Sequence, residues 1–328
     1  MEKQRRYAEA ADWLHCLLEG RCCPGRRGEW WLRLSTDLEH CGEEEAALQA
    51  AEAALEDPWV RHGLRLALQR RIVRLGRPPR RWKKPSWAAA VMADPPEVVI
   101  QARPLAIVVG VKSRFYSAAE RGGQVSVEAL ALEHYGSAAG GGWQGLHCEG
   151  GVWATLFGLL MWPLLFSQQS GVPDALRTPF QTAPLDLDTD AFYPARKQQA
   201  GGGAEQLLRE VWAAHQGQWC RGVNWERYSL ATLQDICRCV GGLGLSVVCR
   251  MLAEDYGGWR GGMPDLLLWR TPRDDGSVMM YEAKLVEVKG PRDRLSDAQR
   301  AWMAALAAAD IDVEVLRVQE PKPRGGKS

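Results

Sequence analysis

The chain has 328 residues, of which 41 are Lys or Arg and 40 are Asp or Glu, so its net charge is +1. Its 46% apolar and 25% charged residues are ordinary for a folded globular protein of two or three domains. The balanced charge excludes a basic bias of the whole molecule, so a nucleic-acid surface would have to be local.

Cysteine usage predicts reduced thiols, as in an intracellular protein. The nine cysteines are an odd number, and the opening MEKQRRYAEA lacks the apolar segment of a secretory signal. Cys22 and Cys23 are adjacent, and Cys237 and Cys239 lie one residue apart. Neither pair has the CxxC spacing of zinc ligands, so the sequence disfavours a zinc site.

Residues 1–75 predict helices joined by short loops. The predicted helices are Tyr7–Leu18, Glu29–Leu38, Glu43–Leu55, and a last one that starts at Pro58 and reaches Leu75. This arrangement suggests paired antiparallel helices of TPR type, although no clean repeat of about 34 residues is evident. An irregular helical subdomain is the alternative. The Pro-rich, basic segment GRPPRRWKKP then opens a linker over 76–96. This linker is either simply solvated or an arm whose basic and aromatic residues contact a nucleic-acid backbone.

A strand with basic residues behind it opens the next segment. Val98–Ile100 and residues 106–111 are strand-like, and Lys112 and Arg114 follow, two residues apart. Basic side chains placed after a strand could hold a DNA phosphate, although this signal is weak when taken alone. A helix is predicted over Val125–Tyr135, with Ser126 as its cap.

The most apolar run, Gly150–Phe166, predicts a buried core helix. It is shorter than the roughly 20 residues that a membrane span needs, and Pro163 interrupts it. Glu149 stands immediately before this helix. A carboxylate there is favourable by itself, because it meets the first-turn N–H groups and the helix dipole. Its other interpretation is a metal ligand.

The region from 172 to 255 predicts loops and helices. The run DLDTD begins like a calcium loop, but Ala191 and Lys197 stand at the sixth and twelfth positions, which excludes an EF-hand. Residues 198–204 predict a flexible insertion. The predicted helices are Glu205–His215, Leu233–Val240 and Val247–Asp255, the last two separated by the glycine-rich residues 241–246.

The stretch GGMPDLLLWRTPRDDGSVMMYEAKLVEVK over 261–289 carries the sharpest chemical signal. Asp265 precedes an apolar strand-like run, and a turn leads to a second run that ends in Glu287, Val288 and Lys289. Side chains alternate along a strand, so Glu287 and Lys289 share one face. If the two runs pair as a hairpin, Asp265 joins them, and oxygen ligands of this kind suit a hard cation such as Mg²⁺.

This constellation predicts a metal-dependent phosphodiesterase. Asp265 and Glu287 would bind the metal, with the Val288 carbonyl and Glu149 as further ligands, and Lys289 would position water or offset phosphate charge. Arg292 and Arg294 follow directly and could hold neighbouring phosphates. Each motif also has a purely structural interpretation. A Pro-Asp pair is common in turns, and a Glu-x-Lys strand end is often a cross-strand charge pair.

The C-terminal part predicts a helix and a closing strand. Ser296 and Gln299 fit a capping box at the start of the helix. The strand is predicted over Asp312–Val318, and the polar tail at 321–328 is expected to be disordered.

Longer motifs resemble a known family. GGMPDLLLW, LVEVKGPRDRLSDAQRAW and DVEVLRV look like the VRR-Nuc branch of the PD-(D/E)xK nucleases. Upstream, in the same order, GVKSRF, VSVEALALEHY, HCEGGVWATLFGLLMW, VPDALRTPFQTAPLDLDTDAFYPAR, GVNWERYSL and GGLGLSVVCRMLAEDY resemble the Fanconi-associated nuclease family. The likeness covers residues 97–318, and the preceding helices are similar to that family's TPR-like region.

The resemblance implies a structure-specific DNA nuclease that depends on Mg²⁺ or Mn²⁺. It implies catalytic residues at Glu149, Asp265, Glu287 and Lys289, and it places the family's glutamine at Gln299. It further implies 5′-flap endonuclease and 5′-to-3′ exonuclease activity on branched or flapped double-stranded DNA, in interstrand crosslink repair in the nucleus. No membrane partner is implied.

Two departures bear on partners. Vertebrate members carry a ubiquitin-binding zinc finger and a SAP-type DNA-binding domain, and neither is expected within these 328 residues. The resemblance therefore implies Fanconi-pathway proteins as partners without a ubiquitin-binding zinc finger in this chain. Pro163 also stands where the resemblance predicts an acidic residue.

The expected fold is an α-helical, TPR-like N-terminal region followed by an α/β nuclease domain of restriction-endonuclease type. The expected organisation is a helical region at 1–75, a linker at 76–96, a helix-and-strand region carrying the first acidic residue at 97–204, the VRR-Nuc domain at 205–320 and a tail at 321–328. Two alternatives stay open: a VRR-Nuc endonuclease that resolves four-way junctions, and a non-catalytic TPR-like scaffold with an inactive nuclease fold.

Overall fold

The computed structural model describes residues 1–20, 22–105, 114–117, 123–167, 175–196, 203–272, 278, 280–291 and 293–321. The chain divides into two compact units. One unit comprises Met1–Asp94 with Ser296–Ala301, and the other comprises Pro95–Leu295 with Trp302–Ser328.

The N-terminal unit is an array of helices, each packed on the next along the chain. Its helices are α1 (Tyr7–Glu19), α2 (Arg27–His40), α3 (Glu44–Glu56), α4 (His62–Leu75) and α5 (Ala88–Met92). The core centres on the alanine-rich α3, where Ala47, Leu48 and Ala51 are fully buried. Small residues at helical spacing let neighbouring helices approach closely. The predicted helical N-terminal region is thus confirmed.

The last helix of this unit begins later than predicted, at His62 rather than Pro58. Asp57 holds the chain in a turn, because its Oδ1 accepts the Trp59 N–H at 3.0 Å. Its Oδ2 accepts from Arg27 Nε at 2.7 Å and from Trp31 Nε1 at 2.9 Å. A side chain that satisfies the backbone two residues on competes with helix formation, which explains the delayed start.

Glu39 makes the stability of this unit depend on pH. Hydrogen bonds from Arg74 first, and from Arg71, lower the pKa of Glu39 from 4.5 to about 2. A carboxylate with a lowered folded-state pKa stabilises the fold fully above its unfolded pKa and loses that stabilisation as the pH falls. We therefore expect Glu39→Gln to unfold at a lower temperature than wild type at neutral pH, and the gap to close between about pH 4.5 and 2. Thermal unfolding across a pH series measures this, and a constant gap would contradict it.

The second unit is built on a mixed five-stranded sheet with the strand order β1-β7-β6-β5-β4. The strands in chain order are β1 (Glu97–Gln101), β2 (Phe115–Tyr116), β3 (Gln124–Val125), β4 (Gln144–His147), β5 (Leu266–Arg270), β6 (Glu282–Lys289) and β7 (Asp312–Gln319). Strand β7 runs parallel to both β1 and β6. Strand β5 runs antiparallel to both β6 and β4. Strands β2 and β3 form a separate antiparallel pair.

The remaining helices surround and connect this sheet. They are α6 (Val127–Gly136), α7 (Gly151–Leu160), α8 (Trp162–Leu165), α9 (Phe192–Arg196), α10 (Ala204–His215), α11 (Leu230–Glu254), α12 (Tyr256–Trp259) and α13 (Asp297–Ala308). Helix α6 begins after Ser126, whose side chain accepts the Ala129 N–H at 3.2 Å, as the predicted cap requires. The α/β class predicted for this part of the chain is confirmed.

The apolar run before Phe166 forms two helices rather than the single helix predicted. Helix α7 ends at Leu160, and the short α8 begins at Trp162, with Pro163 in its first turn. Proline lacks an N–H and is tolerated where a helix begins, so it favours a break over a continuous helix. Seven of the ten residues of α7 are buried, which fits the core position expected of it.

Helix α11 consists of two helices joined across a kink, as the sequence predicted. The break falls at Gly241, with φ +75° and ψ 165°, and helical backbone resumes directly after it, whereas a separation over residues 241–246 was expected. Glycine adopts this backbone without a Cβ penalty, so it forms the kink. Among the described residues, this helix alone is long and apolar enough to cross a membrane by length and composition. Its most apolar window is 56% buried, and a core helix of a soluble protein passes the same test.

Several predictions made from the sequence fall outside the described residues. The second strand-like run at 106–111, most of the insertion at 198–204 and nearly all of the tail at 321–328 are among them.

Candidate metal centre

The pairing of β5 with β6 builds the centre of the site, as the sequence predicted. Leu266 pairs with Val286 in the antiparallel register, so Asp265, one residue earlier, falls opposite Glu287. On one face of the sheet, Val286 and Val288 pack in a core that includes Leu130 and Tyr135 of α6. Because side chains alternate, Glu287 lies on the other face.

Hydrogen bonds fix the three central side chains. Asp265 Oδ2 accepts the Val288 N–H at 2.9 Å. Lys289 Nζ lies 2.8 Å from Glu287 Oε1. Glu287 is 1% exposed and Lys289 is 8% exposed. Asp265 is half-buried beside them, and we call Asp265, Glu287 and Lys289, at the ends of neighbouring strands, the acid–lysine cluster.

The electrostatics of the cluster favour a bound cation. Burial foremost, and the nearby Asp265 carboxylate, raise the pKa of Glu287 to about 8, although Lys289 acts in the opposite direction. Burial also raises the pKa of Asp265. The Asp265 carboxylate thus disfavours the ionised form of Glu287, and a positive ion placed between the two would relieve that cost.

Glu149 lies in a strained turn between β4 and α7. Glu149 has φ +37° and Gly150 has φ +81°, and α7 starts at Gly151. A left-handed backbone at a non-glycine residue costs roughly 1–2 kcal/mol. The turn is joined to the acid–lysine cluster, because the Cys148 N–H donates to the Asp265 carbonyl at 2.9 Å. The Glu149 side chain is 63% exposed, and its Oε1 lies 3.3 Å from His147 Nε2.

The donor set of the cluster fits a divalent ion, but side-chain positions leave Glu149 outside it. Asp265 and Glu287 offer carboxylate oxygens, the ligands that hard divalent cations prefer. Within the part of the chain that the structure describes, no three Asp, Glu, His or Cys side chains lie close enough to hold a metal ion. Glu149 is brought near by its backbone, and its carboxylate turns towards His147 instead.

The other residues predicted for the site have varied positions. Arg114 is exposed just before β2, and Arg294 is exposed after β6. Lys112 and Arg292 lie outside the described residues. Gln299 acts as the predicted capping box requires: its Oε1 accepts the Ser296 N–H at 2.8 Å, and its own N–H donates to Ser296 Oγ at 3.2 Å.

Residues that the sequence did not single out support the site. Cys148 is fully buried, and burial raises the pKa of its thiol to about 12, so it is a packing residue under the Glu149 turn. Arg227 donates from Nη2 to the His147 carbonyl at 2.8 Å. On the opposite sheet face, Lys284 Nζ binds Glu314 Oε2 at 2.8 Å, and Tyr135 donates to the same carboxylate. Arg227 lies in the Trp-Glu-Arg-Tyr run of the GVNWERYSL motif, which could have marked it as a functional residue. Its partner His147 is too distant in the sequence to be predicted from this motif.

Family models match both ends of the chain. Residues 1–76 match the Fanconi-associated nuclease 1, TPR domain model, and residues 200–320 match the VRR-NUC domain model. The Fanconi-associated nuclease 1 homolog of Arabidopsis thaliana is 50% identical over 326 residues, covering 97% of this chain and 36% of the relative. Fanconi-associated nuclease 1 of Homo sapiens is 38% identical over 347 residues, covering 97% of this chain and 32% of the relative. The chain thus spans about a third of these curated relatives' length.

Solved structures share the fold. The structure described as paFAN1 bound to 2-nt 5′-flap DNA with gap superposes with a TM-score of 0.71 at 24% identity. The match covers 98% of this chain and 53% of that chain. A second, described as paFAN1 bound to 1-nt 5′-flap DNA with gap, gives a TM-score of 0.70. A VRR-NUC domain of the PD-(D/E)xK type implies a dependence on divalent metal.

Proposed function

Because the chain belongs to the Fanconi-associated nuclease 1 family, we propose that it is a structure-specific DNA nuclease that hydrolyses phosphodiester bonds. The observation that carries this proposal is the acid–lysine cluster on adjacent strand ends, inside the segment that matches the VRR-NUC model. Placing two carboxylates and a lysine together away from solvent lowers the stability of the fold. Charged groups in such positions are found mainly at functional sites.

Asp265 and Glu287 would hold the metal, Mg²⁺ or Mn²⁺, with the Val288 carbonyl and Glu149 as further ligands. When bound, a divalent ion of this kind neutralises phosphate charge and makes water a better nucleophile. The Val288 N–H fixes the orientation of the Asp265 carboxylate, so its second oxygen can serve as a ligand. Glu149 would join by rotating its side chain, which is 63% exposed and so has room to move.

Lys289 would act on the substrate side of the same face. Its ammonium group already lies 2.8 Å from Glu287, which limits the directions in which its remaining N–H bonds can point. From there it can position the attacking water or offset the charge that develops on the phosphate. Arg114, Arg294, Lys112 and Arg292 are proposed to bind neighbouring phosphates, and Gln299 is proposed as a supporting residue.

The proposed substrate is branched or flapped double-stranded DNA. The proposal includes 5′-flap endonuclease and 5′-to-3′ exonuclease activity, in interstrand crosslink repair in the nucleus. Fanconi-pathway proteins are the proposed macromolecular partners. The relatives' family and the flap DNA in the structures described as paFAN1 support these assignments.

A substrate panel tests the function. The purified chain is incubated with a labelled 5′-flap duplex or a four-way junction, in Mg²⁺, in Mn²⁺, or in EDTA. We expect the flap duplex to be cut with either metal, the junction to be cut more slowly, and EDTA to stop both. Preferred cutting of the junction would favour the junction-resolving alternative. Absence of cutting, together with no heat of Mn²⁺ binding by calorimetry, would favour the non-catalytic scaffold.

A further inference from the structure

One arginine lies beside both ends of the Glu149 turn. Arg227 Nη2 donates to the carbonyl of His147, the last residue of β4, at 2.8 Å. A methyl group added to Gly151, the first residue of α7, would lie 3.2 Å from Arg227 Nη1. The guanidinium is therefore bonded to His147, two residues before Glu149, and lies beside Gly151, the residue after Gly150.

The loop that carries Arg227, residues 216–229, is itself anchored on α7. Asn224 Oδ1 accepts the backbone N–H of Arg227 at 3.0 Å. The Asn224 N–H donates to Thr155 Oγ1 at 3.2 Å, and this hydroxyl lies 3.0 Å from the Gly151 carbonyl and 3.3 Å from the Gly222 carbonyl. Thr155 is fully buried and lies four residues, or about one helical turn, after Gly151. The position of the guanidinium is thus set by the helix that follows the Glu149 turn.

Arg227 differs from two other arginines of this unit in having no acidic partner among the described residues. Across the described ranges, it forms no ion pair, whereas Arg221 of the same loop pairs with Asp188 at 2.5 Å and Arg270 pairs with Glu282. Arg227 is exposed, and one of its Nη groups is bonded to a carbonyl, so other N–H groups face solvent. A fixed guanidinium with free donors is suited to a phosphate, which it can bind through two parallel N–H bonds.

We propose that Arg227 holds a DNA backbone phosphate beside Glu149, and that the loop at 216–229 is built to place this contact. The proposal rests on the nuclease function proposed above and adds a substrate-binding residue to it. The ligand is a single phosphodiester of the bound strand, held by charge and hydrogen bonds rather than by base identity. Arg227 would couple substrate binding to the position of the Glu149 turn, because the same guanidinium contacts both.

The test compares Arg227→Gln with Arg227→Lys and with Arg209→Gln, a matched control on the exposed side of α10. Binding of a 5′-flap duplex is measured in EDTA over a series of KCl concentrations. Loss of one phosphate contact should reduce the slope of log K against log salt by about 0.9 in Arg227→Gln. The slope should be unchanged in Arg227→Lys, which keeps the charge, and in Arg209→Gln. A residue that only supports the fold would leave this slope unchanged.

Cleavage rates provide the second measurement. We expect kcat/KM with Mn²⁺ to fall about 10- to 100-fold in Arg227→Gln and less in Arg227→Lys. Single methylphosphonates placed along the cut strand should identify one phosphate whose neutralisation slows wild type but has no further effect on Arg227→Gln. If Arg227→Gln does not fold, the same scan on Arg227→Lys, which should show partial loss of the coupling, replaces it.

The outcomes separate this proposal from the proposed function. A wild-type chain that cuts the flap duplex, with an unchanged slope in Arg227→Gln and additive effects at every methylphosphonate, overturns the phosphate contact alone. A wild-type chain that binds the duplex without cutting it overturns the nuclease function, and the slope comparison still decides the contact.

Discussion

Asp265→Asn is expected to reduce cleavage of a 5′-flap duplex by at least about 10²- to 10³-fold, the effect of losing one preorganised charged group at a reacting centre. The asparagine keeps an oxygen that can accept the Val288 N–H, so the strand geometry should persist. What is lost is the negative charge that, with Glu287, would hold a divalent ion. Initial cleavage rates in Mn²⁺ measure the effect.

The same substitution should make the fold more stable in EDTA. Asp265 is half-buried next to the buried Glu287, and its carboxylate, after burial itself, raises the pKa of Glu287. Removing one carboxylate relieves their repulsion, so the denaturant midpoint should rise while activity is lost, a trade that marks a functional site. Asp235→Asn is the control, since Asp235 pairs with Arg238 at the surface of α11 and should change neither quantity. An Asp265→Asn protein that cuts at the wild-type rate would exclude Asp265 from the metal site.

Arg196→Ala is expected to cause the largest loss of stability, about 3–5 kcal/mol in the free energy of unfolding, as for other broken buried ion pairs. Arg196 is 2% exposed and binds Asp186 through two contacts, Nη1 to Oδ2 at 2.6 Å and Nη2 to Oδ1 at 3.1 Å. Its Nε also donates to the Leu164 carbonyl at 3.2 Å. Alanine would leave the Asp186 carboxylate buried without its cation. Urea unfolding of the full chain provides the measurement.

Arg221→Ala is the matched control for this change. Arg221 pairs with Asp188, in the same acidic run as Asp186, but the two side chains are 34% and 50% exposed. Exposed pairs contribute less than about 1 kcal/mol, so the control should unfold near the wild-type midpoint. Equal losses in the two variants would mean that burial does not govern the strength of these pairs. A double variant, Asp186→Leu with Arg196→Met, should recover part of the stability lost by Arg196→Ala.

Local patterns predicted the elements well where a single residue type dictates the backbone. Ser126 predicted the start of α6, and Ser296 with Gln299 predicted the capping box, because a cap depends on residues within one turn. The prediction failed where a side chain outside the periodic pattern decided the outcome. Asp57 delays the start of α4. Pro163, in the first turn of α8, favours the break between α7 and α8, whereas the apolar pattern predicted one continuous helix.

The centre of the site was predictable because it lies on two strands joined by a short connection. Alternation places Glu287 and Lys289 on one face, and the register places Asp265 opposite. The surroundings were not predictable in the same way. Arg227 binds the carbonyl of His147, 80 residues earlier in the chain. Arg196 binds Asp186 in the DLDTD segment, for which the sequence only excluded an EF-hand. Such pairs depend on the tertiary path of the chain, which periodicity does not encode.

The sheet order has a consequence for where this protein can be cut into modules. The segment that matches the VRR-NUC model, residues 200–320, contains the three central strands β5, β6 and β7 but neither β1 nor β4. A fragment with those limits would lack Glu149 and would expose unpaired edges on both β5 and β7. Bare edges of this kind pair with other chains, so the excised module should self-associate. The sequence domain is therefore smaller than the folding unit, and the proposed site requires a strand and a turn that the domain boundary leaves out.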